Sequence, residues 1–284
     1  MKTSTSSVRI LRKQGAANLL PAVSTADNKS SRGKSLIMAG SRDYPGAGVL
    51  ACKAALRMGS GYVILAQKNI EAISWEHPDF IYRDLAQIKW SEIGHNAILL
   101  GPGFGVNDFT AKIIRELIAA KESHVILDAD ALTVVARSKI YPLPATWIVT
   151  PHTGELSRLL GISSDEINRD RIAAVVQAQK KMGCVVLLKG NRTLIATENE
   201  IATVGTGNSA LAKSGTGDVL AGIMVSLRAQ NMKAPEAALL ATYVHGATAN
   251  IWVNRGNDPL SMTATDVIEI LPKVLFQLRK IKSV

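Results

Sequence analysis

The sequence predicts one α/β domain of three layers, with helices on both faces of a mostly parallel central sheet. Three observations carry this expectation. Short apolar runs of strand length alternate with longer runs of helical periodicity along most of the 284 residues. Glycine-bearing polar loops recur where strand runs end, as in the ligand-binding turns of open α/β sheets. No repeat of fixed period and no linker-like stretch occurs after residue 34, so a single core is expected.

In chain order, Lys34–Gly40 reads as a buried strand ending on glycine. The loop Ser41–Gly48 leads into a helix from about Val49 to Met58. Gly61–Ala66 is the next strand, and 67–95 has no clear period. Ala97–Leu100 is a strand that ends in Gly101-Pro102-Gly103-Phe104-Gly105, a loop that needs unusual backbone angles. A helix over about Asp108–Lys121 precedes the strand His124–Leu127, then Asp128-Ala129-Asp130 and a helix from Ala131. The strand Thr146–Thr150 runs into Pro151-His152-Thr153-Gly154-Glu155. One long helix, about Asp165–Met182, comes before the strand Val185–Leu188. Gly190–Thr193 is a turn between that strand and strands at Leu194–Thr197 and Ile201–Val204. Helices follow at Asp218–Gln230 and Pro235–Val253, the latter with Pro235 at its first position and Gly256 as its stop. A last helix starts near Thr265.

Composition narrows the class. The chain is 47% apolar and 20% charged, as folded globular proteins are. Its two cysteines, Cys52 and Cys184, sit in apolar runs without metal-ligand spacing, which points to a reducing compartment and a cytoplasmic protein. No apolar run reaches the ~18–20 residues of a membrane span, so no membrane partner is expected. The net charge of +10 invites a nucleic-acid reading. Yet residues 1–34 hold seven basic residues against the single acid Asp27, and the last helix adds Lys273, Arg279, Lys280 and Lys282. Basic ends of this kind are usually solvated, which argues against a nucleic-acid partner. Residues 1–18 read as a basic, flexible leader and 19–284 as the folded domain.

The stretch Asn208–Gly222 is the chemical centre of the chain. Gly215-Thr216-Gly217 immediately before a helix exposes backbone N–H groups at a partially positive helix end, which suits a phosphate or developing phosphoryl anion. Asp218 stands in the first turn beside that site, where a carboxylate is suited to take a proton from an attacking hydroxyl. It is equally suited to a capping role, and the stretch alone leaves both readings open. Asp128 and Asp130 fit Mg²⁺ through water, or phosphate orientation, or a helix cap. His152 and Glu155 form a third polar cluster at a strand end. Lys189 suggests a phosphate or nucleotide contact. His245, inside its helix, reads as structural.

Taken together these motifs resemble a known family. Gly215-Thr216-Gly217-Asp218 followed by Val-Leu-Ala-Gly is similar to the anion-hole signature of ribokinase-like kinases. Ala39-Gly40-Ser41 with Tyr44-x-Gly46-Ala47, Gly101–Gly105, Leu127–Leu132, Thr150-Pro151-His152-x-Gly154-Glu155 and Lys189-Gly190-x-x-Thr193 follow in order. Over about residues 19–280 they resemble the ADP- or ATP-dependent NAD(P)H-hydrate dehydratases. The resemblance implies a ribokinase-like fold and a repair reaction. A phosphoryl group passes from ADP or ATP to the hydroxyl of NADH or NADPH hydrate, and elimination of phosphate restores the reduced nicotinamide. It implies Asp218 as the base, with Gly215, Thr216 and Gly217 in the anion hole. Ala47, Gly103, Gly105, His152 and Asp218 would contact the hydrate. Lys189, Gly190, Asn191, Arg192, Thr193 and Gly217 would hold the nucleotide, and Glu155 would organise Mg²⁺ through water. A homo-oligomer, commonly a tetramer, and a separate NAD(P)H-hydrate epimerase in the same pathway are also implied. The family commonly reads Asn-Pro-Gly-Met-Ala-Thr-Gly before Gly-Thr-Gly-Asp, whereas this chain has Asn208-Ser209-Ala210-Leu211-Ala212-Lys213-Ser214. The nearest rival is a ribokinase-like small-molecule kinase acting on hydroxymethylpyrimidine, hydroxyethylthiazole or a sugar. A non-catalytic nucleotide- or nucleic-acid-binding protein is the rival of another class.

Overall fold

A computed structural model describes residues 8–68 and 78–282. Ten strands form one sheet in it: β1 (Arg9–Leu11), β2 (Lys34–Met38), β3 (Tyr62–Gln67), β4 (Ile81–Asp84), β5 (Ala97–Leu100), β6 (Val125–Leu127), β7 (Ile148–Val149), β8 (Val185–Leu188), β9 (Leu194–Ala196) and β10 (Ile201–Val204). The spatial order is β1-β10-β9-β8-β7-β6-β5-β2-β3-β4. Only β9 runs against the rest, pairing antiparallel with β8 and β10. The chain builds outward from β2 through β3 to β4, then returns to the other side of β2 for β5, β6, β7 and β8. The crevice between the carboxyl ends of β2 and β5 is therefore the topological switch point, where sheets of this kind bind ligands.

Alternation along the strands assigns the two faces. Ile37, Leu65, Leu99, Ile126, Ile148 and Leu187 point to one side. There they meet α1 (Lys13–Leu19), α2 (Pro45–Arg57), α8 (Thr216–Ala229), α9 (Ala234–Asn254) and α10 (Ala264–Lys282). Leu36, Met38, Ile98, Leu100, Val125 and Leu127 point to the other. That side is covered by α3 (Asp108–Ala119), α4 (Asp130–Ser138), α5 (Thr153–Leu160), α6 (Ser164–Arg169) and α7 (Arg171–Met182). The three-layer expectation holds. On the first face α2 and α8 approach closely because Gly222 lacks a side chain: a Cβ there would overlap the carbonyl oxygen of Ala51.

Three expectations change. The folded domain begins before residue 19, since β1 pairs in parallel with β10 at Arg9↔Ala202 and α1 follows it. Arg9 also makes two 2.8 Å bonds to Glu200. Residues 1–7 of the expected leader lie outside the described residues. The single helix expected over Asp165–Met182 is two helices. Asp170 has φ −144° and accepts from the Ala173 N–H at 2.9 Å, so it closes α6 and caps α7. The unplaced stretch 67–95 contains β4 and a single 3-10 turn at Trp90–Glu92, with residues 69–77 outside the described residues.

Candidate active site

The loops after β2 and β5 are fastened to each other across the switch point. The Gly40 N–H donates to the Pro102 carbonyl at 2.6 Å, and buried Gln67 donates from Nε2 to the Ala39 carbonyl at 2.7 Å. Gly103 has φ +60°, and a Cβ there would lie 2.7 Å from that of Tyr44 and 3.3 Å from that of Ala47. Two of the expected substrate contacts, Ala47 and Gly103, are thus brought together by backbone that only glycine accommodates. Gly105 is held from the neighbouring strand end: its N–H donates to Asp130 Oδ2 at 2.8 Å. One turn further along α2, Leu50 Cδ1 lies 2.6 Å from where a Cβ on Gly215 would stand. Ala47 and Leu50 are three apart on one face of α2, so that face joins the β5 loop to the start of α8.

The two aspartates after β6 have separate duties. Asp130 ties down the glycine loop. Asp128 is 2% exposed, and its Oδ1 accepts from Lys189 Nζ at 2.7 Å. Between them Ala129 takes φ +49°, ψ −115°, a region that non-glycine residues rarely occupy. Close packing helps to hold that conformation, since Gly101 has φ +133° and a Cβ on it would overlap the Asp128 carbonyl.

His152 and Glu155 form a reciprocal cap at the start of α5. The Gly154 N–H donates to His152 Nδ1 at 2.9 Å, and the His152 N–H donates to Glu155 Oε2 at 2.8 Å. The His152 ring is half exposed, with Nε2 3.5 Å from Glu155 Oε1. The same Glu155 turns Oε2 toward Lys189 Nζ at 3.6 Å. Burial raises the Glu155 pKa and Asp128 adds to the rise, while Lys189 opposes both.

Lys189 thus sits among carboxylates at the carboxyl end of β8. Burial pulls its pKa down, but Asp128 and Glu155 outweigh that and leave it raised. A Cβ on Gly217 would lie 3.9 Å from its Nζ, which places the ammonium beneath the first turn of α8. Within the chain, the charge of Lys189, an expected nucleotide contact, is directed at Asp128 and Glu155. The rest of that motif forms the β8–β9 turn. Arg171 Nη2 donates to the Lys189 carbonyl at 3.1 Å, Thr193 Oγ1 to the Gly190 carbonyl at 3.3 Å, and Asn191 and Arg192 are exposed.

The start of α8 is anchored on all sides. Gly215 caps it with φ +84°. The buried Thr216 hydroxyl is shared between the carbonyls of Leu211 and Lys213, 2.8 Å from each. Buried His245 directs Nε2 to the Thr216 carbonyl at 2.9 Å. The carbonyl must accept, so Nε2 carries a proton. Asn208 accepts from the Ala210 N–H at 2.9 Å and donates to Asn250 Oδ1 at 3.2 Å, which fixes the preceding loop. Asp218 follows in the third helical position. Burial lifts its pKa to about 7, helped by Asp128 and opposed by Lys189. A carboxylate poised there is matched to proton abstraction near neutrality.

Two supporting residues, Gln67 and Arg171, have roles that the sequence does not assign. Gln67 ends an apolar strand, a polar residue at a buried position, and that is its visible signal. Arg171 carries no local signal, since its partners are eighteen residues away. His245 is expected to be structural, and the structure gives that role a location beneath the first turn of α8.

The sequence model of NAD(P)H-hydrate dehydratases matches residues 35–273. The bifunctional NAD(P)H-hydrate repair enzyme Nnr of Thermofilum pendens is 33% identical over 272 residues, covering 89% of this chain and 52% of that protein. The ADP-dependent (S)-NAD(P)H-hydrate dehydratase of Bacillus subtilis is 32% identical over 267 residues, covering 90% and 93%. The crystal structure of the Bacillus subtilis ADP/ATP-dependent dehydratase co-crystallised with ATP and Mg²⁺ superposes with a TM-score of 0.86 at 30% identity, covering 95% of this chain and 99% of that one. This chain spans about half the length of the first bifunctional relatives.

Proposed function

This chain belongs to the NAD(P)H-hydrate dehydratase family, and we propose that it restores NADH or NADPH from the 6S hydrate with ADP or ATP as phosphoryl donor. The observation that carries the proposal is Asp218. It stands in the first turn of α8, with a pKa near 7, over the Lys189–Asp128–Glu155 cluster.

In the proposed reaction, Asp218 takes the proton of the hydrate hydroxyl. The freed oxygen bonds to the terminal phosphorus of the nucleotide, and the bond to the leaving nucleotide oxygen breaks. The N–H groups of Ser214 to Gly217 and the helix end carry the phosphoryl charge. Lys189 adds a fixed positive charge below. The carbon–oxygen bond then breaks, phosphate leaves, and loss of a ring proton restores the double bond. The chain's contribution is position and charge, as phosphoryl transfer requires. Ala47, Gly103, Gly105 and His152 are the proposed hydrate contacts, and the 189–193 turn with Gly217 the proposed nucleotide contacts.

A magnesium ion would enter with the nucleotide phosphates. The residues do not build a site for it by themselves. Among the described residues no three of His, Cys, Asp and Glu cluster as a metal site, and Glu155 already faces Lys189 and His152. Glu155 is proposed to reach the ion through water only, and no step depends on it. We further propose a cytoplasmic homotetramer that works beside a separate NAD(P)H-hydrate epimerase. Both cysteines are buried thiols, in keeping with a reducing compartment. Among the described residues no helix is long and apolar enough to cross a membrane.

The test mixes the protein, Mg²⁺ and NADPH hydrate with ADP or with ATP and follows the near-ultraviolet absorbance of reduced nicotinamide. Recovery with one nucleotide and none without it is the expected result. No recovery with either overturns the proposal.

A further inference from the structure

The end of α8 opposite Asp218 carries a charge that the proposed reaction does not use. Arg228 lies ten residues after Asp218, about 15 Å along the helix, at the amino-terminal edge of the sheet. Its side chain is 3% exposed. Nη1 donates to the Met232 carbonyl at 2.6 Å, and Nη2 to the carbonyls of Ser123 and Thr146 at 2.9 and 3.0 Å. These dipoles orient the guanidinium without neutralising it. None of its hydrogen bonds among the described residues reaches a carboxylate, and its buried Nε–H has no partner there. A buried charge with no counter-charge is costly, and burial lowers the pKa of Arg228 to about 10.

Arg228 is among the residues that line a cavity of about 420 Å³, a volume typical of small-molecule sites. Lys233 and His124 share the wall, with the amides of Gln179 and Asn199 beside them, and Glu198 is the one carboxylate among the lining residues. His124 Nδ1 lies 3.0 Å from the Arg228 carbonyl, and that acceptor requires Nδ1 to be the protonated nitrogen. Nothing in the catalytic proposal assigns a role to this cavity. We propose that it is a second ligand site, one for a small metabolite bearing a phosphate or carboxylate group, held at the carboxyl end of the helix whose other end bears Asp218. The ligand's oxyanion supplies the counter-charge that Arg228 lacks, and Lys233 at the rim draws it in.

The experiment titrates the full chain with inorganic phosphate and, separately, with citrate at low ionic strength, by calorimetry. Hydrogen exchange at saturation locates the bound anion. Wild type is compared with Lys233→Glu, an exposed position whose side chain caps nothing in α9, and with Arg228→Gln. At least one anion is expected to bind with a Kd below about 10 mM, weakened about threefold or more by Lys233→Glu. Protection is expected across 228–235 and 197–199. Binding of neither anion in that range overturns the proposal. So does equal affinity in Lys233→Glu, or protection confined to 214–218, which would place the anion at the catalytic edge. Should Arg228→Gln fail to fold, Lys233→Glu decides alone. Catalytic turnover is expected to survive Lys233→Glu, so a failed dehydratase assay and a failed anion titration remain separate results.

Discussion

The ammonium of Lys189 lies 2.7 Å from Asp128 Oδ1 and 3.6 Å from Glu155 Oε2, joining the ends of β6 and β8 to the start of α5. Its charge also acts on Asp218, lowering a pKa that burial and Asp128 raise. Replacing Lys189 with Met should therefore have two effects. Asp128 and Glu155 lose their counter-charge, and stability should fall by about 3–5 kcal/mol, the cost of breaking a buried pair. Asp218 becomes harder to ionise, so the acid limb of the kcat/KM profile should move to higher pH. Turnover at neutrality should drop about 10²-fold or more. A pH–rate profile of Lys189→Met with its acid limb unmoved would remove Lys189 from the control of Asp218.

Asp218→Asn should lower turnover roughly 10²–10⁴-fold, as loss of a general base does. The same change should stabilise the fold above pH 7. The folded Asp218 pKa is raised from 3.8 to about 7, so the unfolded chain releases this proton first and stability falls as pH rises through that window. Asn carries no charge and escapes that loss. His245 has the opposite sign, its pKa lowered from 6.5 to about 4 by burial. The unfolded chain takes up that proton first, so stability falls as pH drops from 6.5 toward 4. In wild type the two trends oppose each other. In Asp218→Asn the histidine trend loses the opposition of Asp218, and the melting temperature should fall on acidification more steeply than in wild type. Melting curves of both proteins between pH 4 and 8 check this. Parallel curves would show that Asp218 is not held protonated by the fold.

Much of this arrangement was legible in the sequence because strand ends are marked by local residues. Gly40, Gly101–Gly105, Asp128, His152 and Lys189 each follow an apolar strand run, and the sheet brings those ends to one edge, while Gly215–Asp218 opens the apolar helical run of α8. What stayed illegible depends on distance between chain segments. The pairing of Lys189 with Asp128 spans 61 residues, and that of His245 with Thr216 spans 29. No spacing rule reaches so far. β1 was missed because three residues with one buried side chain give no alternation to read. The break at Asp170 was missed because one capping side chain interrupts an otherwise continuous helical pattern.

Gly222 sets the distance between α2 and α8, and so between Ala47 and Asp218. A methyl group there meets the backbone of Ala51, which cannot yield as a side chain can. Gly222→Ala should destabilise by about 1–3 kcal/mol despite its better helix propensity. It should also lower kcat/KM for the hydrate by spreading the two helices. A melting temperature at or above wild type would show that the helices have slack at this crossing.

His245 tests whether the proposed anion site depends on its support from beneath. Its Nε2–H donates to the Thr216 carbonyl, which also accepts within α8, so this is a second bond to one oxygen. Losing it should cost about 1 kcal/mol of stability. The larger effect should be on chemistry, because Thr216 and Gly217 belong to the proposed anion site. His245→Leu keeps comparable volume without a donor and should lower kcat about tenfold with KM for the hydrate little changed. His245→Gln restores an N–H donor and should recover most of that loss. A residue that merely fills space would treat Leu and Gln alike, or favour Leu for its packing. Steady-state kinetics of the two variants, compared at a temperature where both are folded, separate the cases: equal kcat in Leu and Gln would reduce His245 to a packing residue.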